Sequence, residues 1–344
     1  MTGTGFIPLA WGLIGAGDIA QKRVAPAMRD LDSCRCLSVS RADTARLDAF
    51  ADQFDFERRE PDWRSLVRDP EVEAVYIATP VHLHEEQTLA ALEAGKPVLC
   101  EKPMALDAPG ARRMMAAADA RGLALGVAYY RRFFPVVKRI RQILEDGLIG
   151  EPVLAVMENF EPFHRESGEP RSWLLDPKLS GGGPLMDMGC HRVDLLIHLF
   201  GPIVDVSGKA DNLRYQRSVE DSAAVILGFQ RSLRAVLLSA HCAFEPRDTL
   251  EIYGTRGTVR IPNLNRGDLI LVTEQGESRE SHPNGPNVHA PLIDDFSRAV
   301  REGRPPVVTG EMALATTEVL DAFYHRGGKF PSWITRSPGT SGRN

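Results

Sequence analysis

Cysteine is scarce in this chain: Cys34, Cys36, Cys100, Cys190 and Cys242 are the only five in 344 residues. The count is odd, no Cys-x-x-Cys pair occurs and no Cys/His cluster has zinc-ligand spacing, which argues against a disulfide framework or a structural zinc site. Reduced thiols in a cytoplasmic enzyme fit that usage. Long apolar runs are lacking too, and none approaches the ~20 residues needed to cross a bilayer. The start carries no basic stretch, and three glycines break the apolar segment that follows, so it reads as a first strand rather than a signal peptide. Nor is there an excess of positive charge: 41 Lys and Arg against 46 Asp and Glu give a net charge of −5, unlike a general nucleic-acid binder. The local clusters Arg131-Arg132 and Lys138-Arg139-Arg141 read as solvated helix faces. The chain has no internal repeat and no low-complexity block.

What is present is ordinary globular composition, 43% hydrophobic and 25% charged, in a chain long enough for two domains. An apolar run at 9–14 stops at Gly15-Ala16-Gly17, and a helix is expected from Asp18, bent or restarted at Pro26. Strands at 35–40, 72–78, 96–100 and 124–128 alternate with helices at 42–53, 84–94 and 107–121, the last two closed by Gly95 and Gly122. That alternation predicts a doubly wound parallel sheet. Right-handed crossovers then gather the turns at 15–17, 40–41, 79–80 and 101–103 on the C-terminal edge, where such sheets bind ligands. After about residue 150, period-2 segments at 153–158, 204–210, 223–229, 233–240, 250–253, 258–261 and 269–273 predict a largely antiparallel sheet, able to keep one face for a partner. A long helix at 185–200 interrupts them, and helices at 294–302 and 311–325 close the chain. The expected class is α/β. A Rossmann doubly wound parallel sheet occupies 1–126, an α/β domain with an open, mostly antiparallel sheet occupies 127–330, and a tail covers 331–344.

Four stretches carry chemistry. Gly15-Ala16-Gly17-Asp18-Ile19-Ala20 is a GxGxxA between strand and helix. Gly15 permits the tight turn, Gly17 lets the backbone approach a pyrophosphate, Asp18 and Ile19 open the helix, and Ala20 keeps it close to the sheet. In this position the motif predicts dinucleotide binding. At the end of the second strand, where NAD sites usually place an acidic residue, stand Ser40 and Arg41, which suit a 2′-phosphate and favour NADP over NAD; Asp43 is the acidic alternative. Glu101-Lys102-Pro103 ends another strand on the same edge. A lysine there can hydrogen-bond a substrate oxygen and stabilise alkoxide character during hydride transfer.

The fourth stretch is the glycine run Gly181-Gly182-Gly183, read as a close approach of backbone to ligand, leading into a helix with Asp187 and His191 at i, i+4. Asp194 and His198 extend that stripe, and its apolar flanks imply a packed helix lining a cleft. An unperturbed imidazole, with a pKa of about 6.5, can take a proton near neutral pH. His82 and His84 read as loop and helix start rather than metal ligands, and no metal is expected.

Together these stretches resemble the Gfo/Idh/MocA oxidoreductase family, named for glucose–fructose oxidoreductase and inositol dehydrogenase. The resemblance rests on Gly12–Ala20, Asp69–Pro80, His84 through Ala91–Pro103, and Gly181–His191, in the family's order and spacing, and spans about 6–330. It implies Lys102, Asp187 and His191 as catalytic residues, with His191 as general acid/base. It implies Thr79, Pro80, His84 and Glu101 beside the cofactor, and a Lys102–Pro103 bond that is often cis. Arg132, in Tyr129-Tyr130-Arg131-Arg132-Phe133, is similar to a recurrent arginine of the family, whereas Leu174 after Trp173 replaces an arginine many relatives carry. Substrate determinants are expected at Tyr130, Arg132, His164, Arg165 and Trp173, within polar stretches that also hold Glu161, Arg171, Tyr215 and His241. The implied activity is NAD(P)-dependent hydride exchange with a secondary alcohol or ketone of a sugar, cyclitol or related polyol. A glycoside-cleaving enzyme using transient oxidation and a non-catalytic sensor are the alternatives. The implied assembly is a homodimer or homotetramer through the C-terminal sheet, with neither nucleic acid nor membrane as partner.

Overall fold

The structure, a computed structural model, describes residues 6–325. The expected tail at 331–344 lies outside the described residues. Six parallel strands, β1 (Leu9–Ile14), β2 (Cys34–Ser40), β3 (Arg58–Glu60), β4 (Ala74–Ile77), β5 (Val98–Cys100) and β6 (Leu125–Val127), form one sheet in the order β3-β2-β1-β4-β5-β6. β1 and β4 are buried along their whole length because neighbours cover both faces, which is why they read as continuous apolar runs. β3, with the sequence Arg-Arg-Glu, has no apolar signal. It is a short charged edge strand and was not expected from the sequence.

The helix after the glycine turn begins as a π turn, Ala20–Val24, and continues as an α-helix, Ala25–Asp30, with Pro26 in its first turn. The bend expected at Pro26 is thus a change of helix type. Proline has no N–H for the upstream ladder, and the π turn absorbs the misfit.

Contacts divide the chain into two units. The first runs to Val137 and takes in 176–181 and 284–314; the second comprises 138–175, 182–283 and the residues from 315 on. These contact units interleave along the chain. The reason is visible in the first unit's core. Helix Ala290–Glu302 brings Phe296 to 5.6 Å from the Trp11 ring, and the Trp11 indole N–H donates to Ser297 Oγ at 3.1 Å.

The second unit is built on eight strands: β7 (Pro152–Phe160), β8 (Ile203–Asp211), β9 (Ser222–Phe229), β10 (Arg234–Ala240), β11 (Arg247–Gly254), β12 (Gly257–Asn263), β13 (Asp268–Thr273) and β14 (Gly276–Ser281). Their order is β14-β13-β12-β11-β7-β10-β9-β8, antiparallel except for the parallel β7/β10 pair. Alternation puts Ala155, Met157, Ala235, Leu237, Leu250 and Ile252 in the core, while Leu154 and Ile226 stand on the other face, 39% and 46% exposed. All seven segments read from period-2 patterning are strands. The eighth, β14, is Gly-Glu-Ser-Arg-Glu-Ser, a polar edge strand with no pattern to read.

The turn after β1 leaves no room for a side chain at Gly15. Gly15 sits at φ +96°, and a Cβ there would come within 2.8 Å of the Ala78 backbone. Gly15→Ala is expected to destabilise the protein by about 2 kcal/mol, from a left-handed backbone carrying a side chain plus the clash. Urea unfolding of the variant against wild type measures it, and an unchanged midpoint would contradict this account of the turn.

Candidate active site

The parallel ladder sets the turns on one edge. Gly15 N–H donates to Ser40 O at 3.1 Å, Ala78 N–H to Ile14 O at 2.8 Å, and Glu101 N–H to Ile77 O at 2.9 Å. The turns at 15–17, 40–41, 79–80 and 101–103 therefore do converge on the C-terminal edge of the sheet. Gly17 faces open space, with nothing within 4 Å of where a Cβ would sit, whereas Gly15 has none to spare. A close-packed first glycine and an open second one form a cradle that a dinucleotide pyrophosphate fits. Ala20 is fully buried against the sheet, and the exposed Asp18 carboxylate pairs with Lys22 at 2.7 Å.

β2 ends at Ser40, as the sequence implied. Ser40 is buried, and the Arg41 guanidinium donates to the Ala16 carbonyl, which folds it over the glycine turn. Asp43 is occupied elsewhere: it caps helix Thr44–Gln53, accepting from Arg46 N–H at 3.1 Å. No carboxylate follows directly on β2 to receive ribose hydroxyls.

His84 is 1% exposed. Its Nε2 lies 2.8 Å from Thr79 O and its Nδ1 3.0 Å from Pro103 O, and burial holds its pKa below the ordinary histidine value. It therefore ties the 79–80 turn to the 101–103 turn. Thr79 Oγ1 is held in turn by Gln87 at 2.6 Å. The Lys102–Pro103 bond is cis. Glu101 is buried and accepts from Tyr76 OH at 2.8 Å and from Lys102 N–H at 3.2 Å, with His289 Nε2 3.4 Å away. Burial pushes its carboxyl up, but His289, Tyr76 and the Lys102 charge outweigh that and hold it below the usual carboxylate range. Lys102 thus extends from a main chain pinned by a buried carboxylate. The Tyr130 ring lies 4.4 Å from the His289 ring, and buried Arg132 contacts Met312 Sδ at 3.0 Å.

In the second unit, Asp187 and His191 lie where a π turn, Leu185–Gly189, passes into helix Cys190–Phe200. The expected single helix is thus two types in series, and π turns of this kind recur at functional sites. Asp187 is mostly buried and pairs with Arg171 at 3.6 Å; His191 is 5% exposed. Arg192, buried beside them, forms a 2.6 Å pair with Asp248, which Asn265 also bonds, and this anchors the helix. Asp194 is fully buried, so the polar stripe faces protein rather than solvent.

The glycine run differs from its sequence reading. A Cβ on Gly182 would meet Tyr324 OH at 2.7 Å, and one on Gly183 would meet Glu220 O at 2.1 Å. The close approach is to protein, not to a ligand. Glu220 accepts from Gly183 N–H at 2.8 Å, from Leu185 N–H at 3.3 Å and from Tyr324 OH at 2.6 Å, so it caps the helix that carries Asp187. Neither Glu220 nor Tyr324 carried a sequence signal, because the spacing from 183 to 324 is purely tertiary. Leu174 is buried in the second unit, so an apolar contact stands in place of the relatives' arginine; Trp173 beside it is half-buried. Exposed His164 stacks on Tyr215 at 4.6 Å, while Arg165 and Arg171 lie over the Phe163 ring at 4.9 and 4.8 Å. Among the described residues no group of three His, Cys, Asp or Glu side chains could hold a metal ion, and no helix is long and apolar enough to cross a membrane.

A glycine cradle on a 3-2-1-4-5-6 sheet, with a lysine fixed at a neighbouring strand end, marks a nicotinamide-dinucleotide oxidoreductase. Residues 9–129 match the family described as "Oxidoreductase family, NAD-binding Rossmann fold", and 137–260 match the "GFO/IDH/MocA C-terminal domain". The chain belongs to the Gfo/Idh/MocA oxidoreductases. It is 32% identical over 313 residues to a 1,5-anhydro-D-fructose reductase of Ensifer adhaerens, covering 88% of this chain and 91% of that one. It is 32% identical over 278 residues to the trans-1,2-dihydrobenzene-1,2-diol dehydrogenase of Mus musculus, 80% of each. Among solved structures, an aldose-aldose oxidoreductase from Caulobacter crescentus superposes with a TM-score of 0.84 at 25% identity, covering 93% of this chain and 98% of that one. A levoglucosan dehydrogenase bound to NADH and levoglucosan superposes at 0.85, with 24% identity and 93% and 97% coverage.

A carboxylate held low stabilises the fold above its unfolded pKa, and that stability is lost as pH falls through the native value. Replacing Glu101 with Gln should therefore lower the melting temperature by a constant amount from pH 8 to about 5, with the gap to wild type narrowing below about pH 4. Thermal melts across that range test it; a gap that widens on acidification would contradict it.

Proposed function

We propose that this enzyme prefers NADP and exchanges hydride with a secondary alcohol or ketone of a sugar, cyclitol or related polyol. The observation that carries the reading is a dinucleotide cradle in the same chain as Lys102, Asp187 and His191, the last two mostly buried at one helix start. Relatives named as reductase and dehydrogenase support net oxidoreduction over elimination chemistry or sensing.

When bound, the nicotinamide supplies the hydride acceptor or donor. His191 takes the proton of the substrate hydroxyl in oxidation and returns it in reduction. Lys102 hydrogen-bonds that oxygen and favours its alkoxide character. Asp187, paired with Arg171, orients the substrate. Of the remaining candidates, His164 and Arg165 border Phe163 in the second unit and, with Trp173, belong to substrate recognition in this reading. Tyr130 and Arg132, packed within the first unit, shape the surroundings of Glu101 and Lys102. Free thiols at all five cysteines suit a cytoplasmic location, and Leu154 and Ile226 offer an apolar sheet face for a homodimer or homotetramer.

Two measurements test the reading. General acid–base assistance is typically worth about 10²–10⁴-fold, so His191→Ala and Lys102→Ala should each lose at least about a hundredfold in kcat/KM on 1,5-anhydro-D-fructose or levoglucosan. Cofactor binding, read by nicotinamide fluorescence, should survive in both; turnover at wild-type rates in either refutes the assignment. Arg41→Asp should raise KM for NADP about tenfold or more and move kcat/KM toward NAD, an outcome that direct comparison of the two cofactors decides. An unaltered ratio would remove Arg41 from cofactor selection.

A further inference from the structure

The second unit holds another buried imidazole besides His191. His241 follows β10 directly and is 1% exposed. Its main chain is fixed on both sides: its N–H donates to Asp221 O at 2.8 Å, and its carbonyl accepts from Phe163 N–H at 3.0 Å. Its ring lies 5.1 Å from the Phe163 ring, the same ring that carries the Arg171 guanidinium. Arg171 in turn pairs with Asp187. One residue before the end of β10, Ser239 Oγ sits 2.9 Å from Pro184 O, which joins the start of the Asp187 segment to this strand end. His241 and Asp187 thus belong to one polar cluster built around Phe163 and the ends of β7 and β10.

The contact that sets His241 apart is with Arg217, whose Nη2 lies 2.9 Å from the His241 Nδ1. The guanidinium has no freedom to turn away, because Nη1 donates to Phe163 O at 3.0 Å and Nη2 to Glu220 O at 2.7 Å. The loop that delivers Arg217 is wrapped around the Asp221 carboxylate, which accepts from the N–H groups of Leu213, Arg214 and Tyr215 at 2.9, 2.8 and 2.7 Å. A guanidinium only donates. Nδ1 must therefore present its lone pair, and the ring proton resides on Nε2. Among the described residues nothing bonds Nε2.

We propose that Arg217 locks His241 in the neutral Nε2–H tautomer, and that this N–H is a fixed donor to a second oxygen of the substrate, beside Asp187. Arg217 is then a positioning residue and His241 a binding residue. The inference rests on the polyol reading above and narrows it: the substrate carries an acceptor oxygen in addition to the one that reacts, so polyols are favoured over simple secondary alcohols. The charged groups around the ring agree with a neutral donor. Burial, with Arg217 and Arg171, outweighs Asp187 and Asp221 and draws the His241 pKa down to about 4. Unlike a general base, this donor is constant across neutral pH.

The test has two arms. In histidine-15N-labelled wild type, with the His241 signals assigned by their absence in His241→Gln, the ring should stay a neutral Nε2–H tautomer from pH 8 to 5. In Arg217→Met nothing holds the Nδ1 lone pair, so an Nδ1–H population should appear, while burial still keeps the ring below the ordinary histidine value. An Nδ1–H tautomer, or an imidazolium at pH 6 in wild type, overturns the lock. In the kinetic arm, on 1,5-anhydro-D-fructose with NADPH or levoglucosan with NADP, His241→Phe should raise KM about tenfold or more with a smaller change in kcat. His241→Gln, which keeps an N–H near the Nε2 position, should recover most of that loss. An active wild type with KM unchanged in His241→Phe overturns the donor role and leaves the function standing. A wild type that turns over neither probe overturns the polyol reading and the donor role together, while the spectra still decide the tautomer.

Discussion

The backbone contact between Gly15 and Ala78 is the constraint on which the first unit rests. Parallel strands β1 and β4 run side by side to the same edge, and the chain leaving β1 must turn within a hydrogen's width of the chain leaving β4. Any side chain at 15 would push the turn off the sheet. Gly17 would then no longer face open space, and the helix from Ala20 would no longer start where a phosphate can meet it. Everything proposed for the cofactor depends on that one approach being possible.

A second organising device is the buried or half-buried carboxylate that gathers main-chain or side-chain donors. Glu101 pins the chain before Lys102, Glu220 caps the helix that carries Asp187, and Asp221 shapes the loop that presents Arg217. Each carboxylate uses its lone pairs to fix the chain beside a residue proposed for the site. Ionised acceptors make hydrogen bonds roughly twice as strong as neutral ones, so they suit loops that must hold a reactive side chain still. Removing such a group leaves several donors unsatisfied at once, a larger loss than a single surface bond.

The cofactor side of the site was readable because its signals are local. A glycine turn, a strand end and a Glu-Lys-Pro turn each lie within a few residues, and regular strand–helix alternation orders them on one edge. The glycine run was misread, since local composition cannot say what the backbone approaches; Tyr324 and Glu220 fill that space from far along the chain. β3 and β14 escaped because charged edge strands have no buried face to impose a pattern. Interleaving of the two units escaped because nothing near Phe296 or Ser297 announces that they pack on Trp11.

Sequence alone determined the order of elements and the dinucleotide turn, and put forward Lys102, Asp187 and His191 as candidates, since periodicity and motif spacing act over short stretches of chain. Tertiary structure decided the states of those groups and of their neighbours. Gly182 and Gly183 pack on protein, Asp43 caps a helix, and the groups around Glu101 hold its carboxyl low although it is buried. His241 keeps its proton on Nε2 because of an arginine twenty-four residues earlier in the chain. Protonation and tautomer follow from the charges and donors that surround a side chain in space, and only the folded chain brings those together.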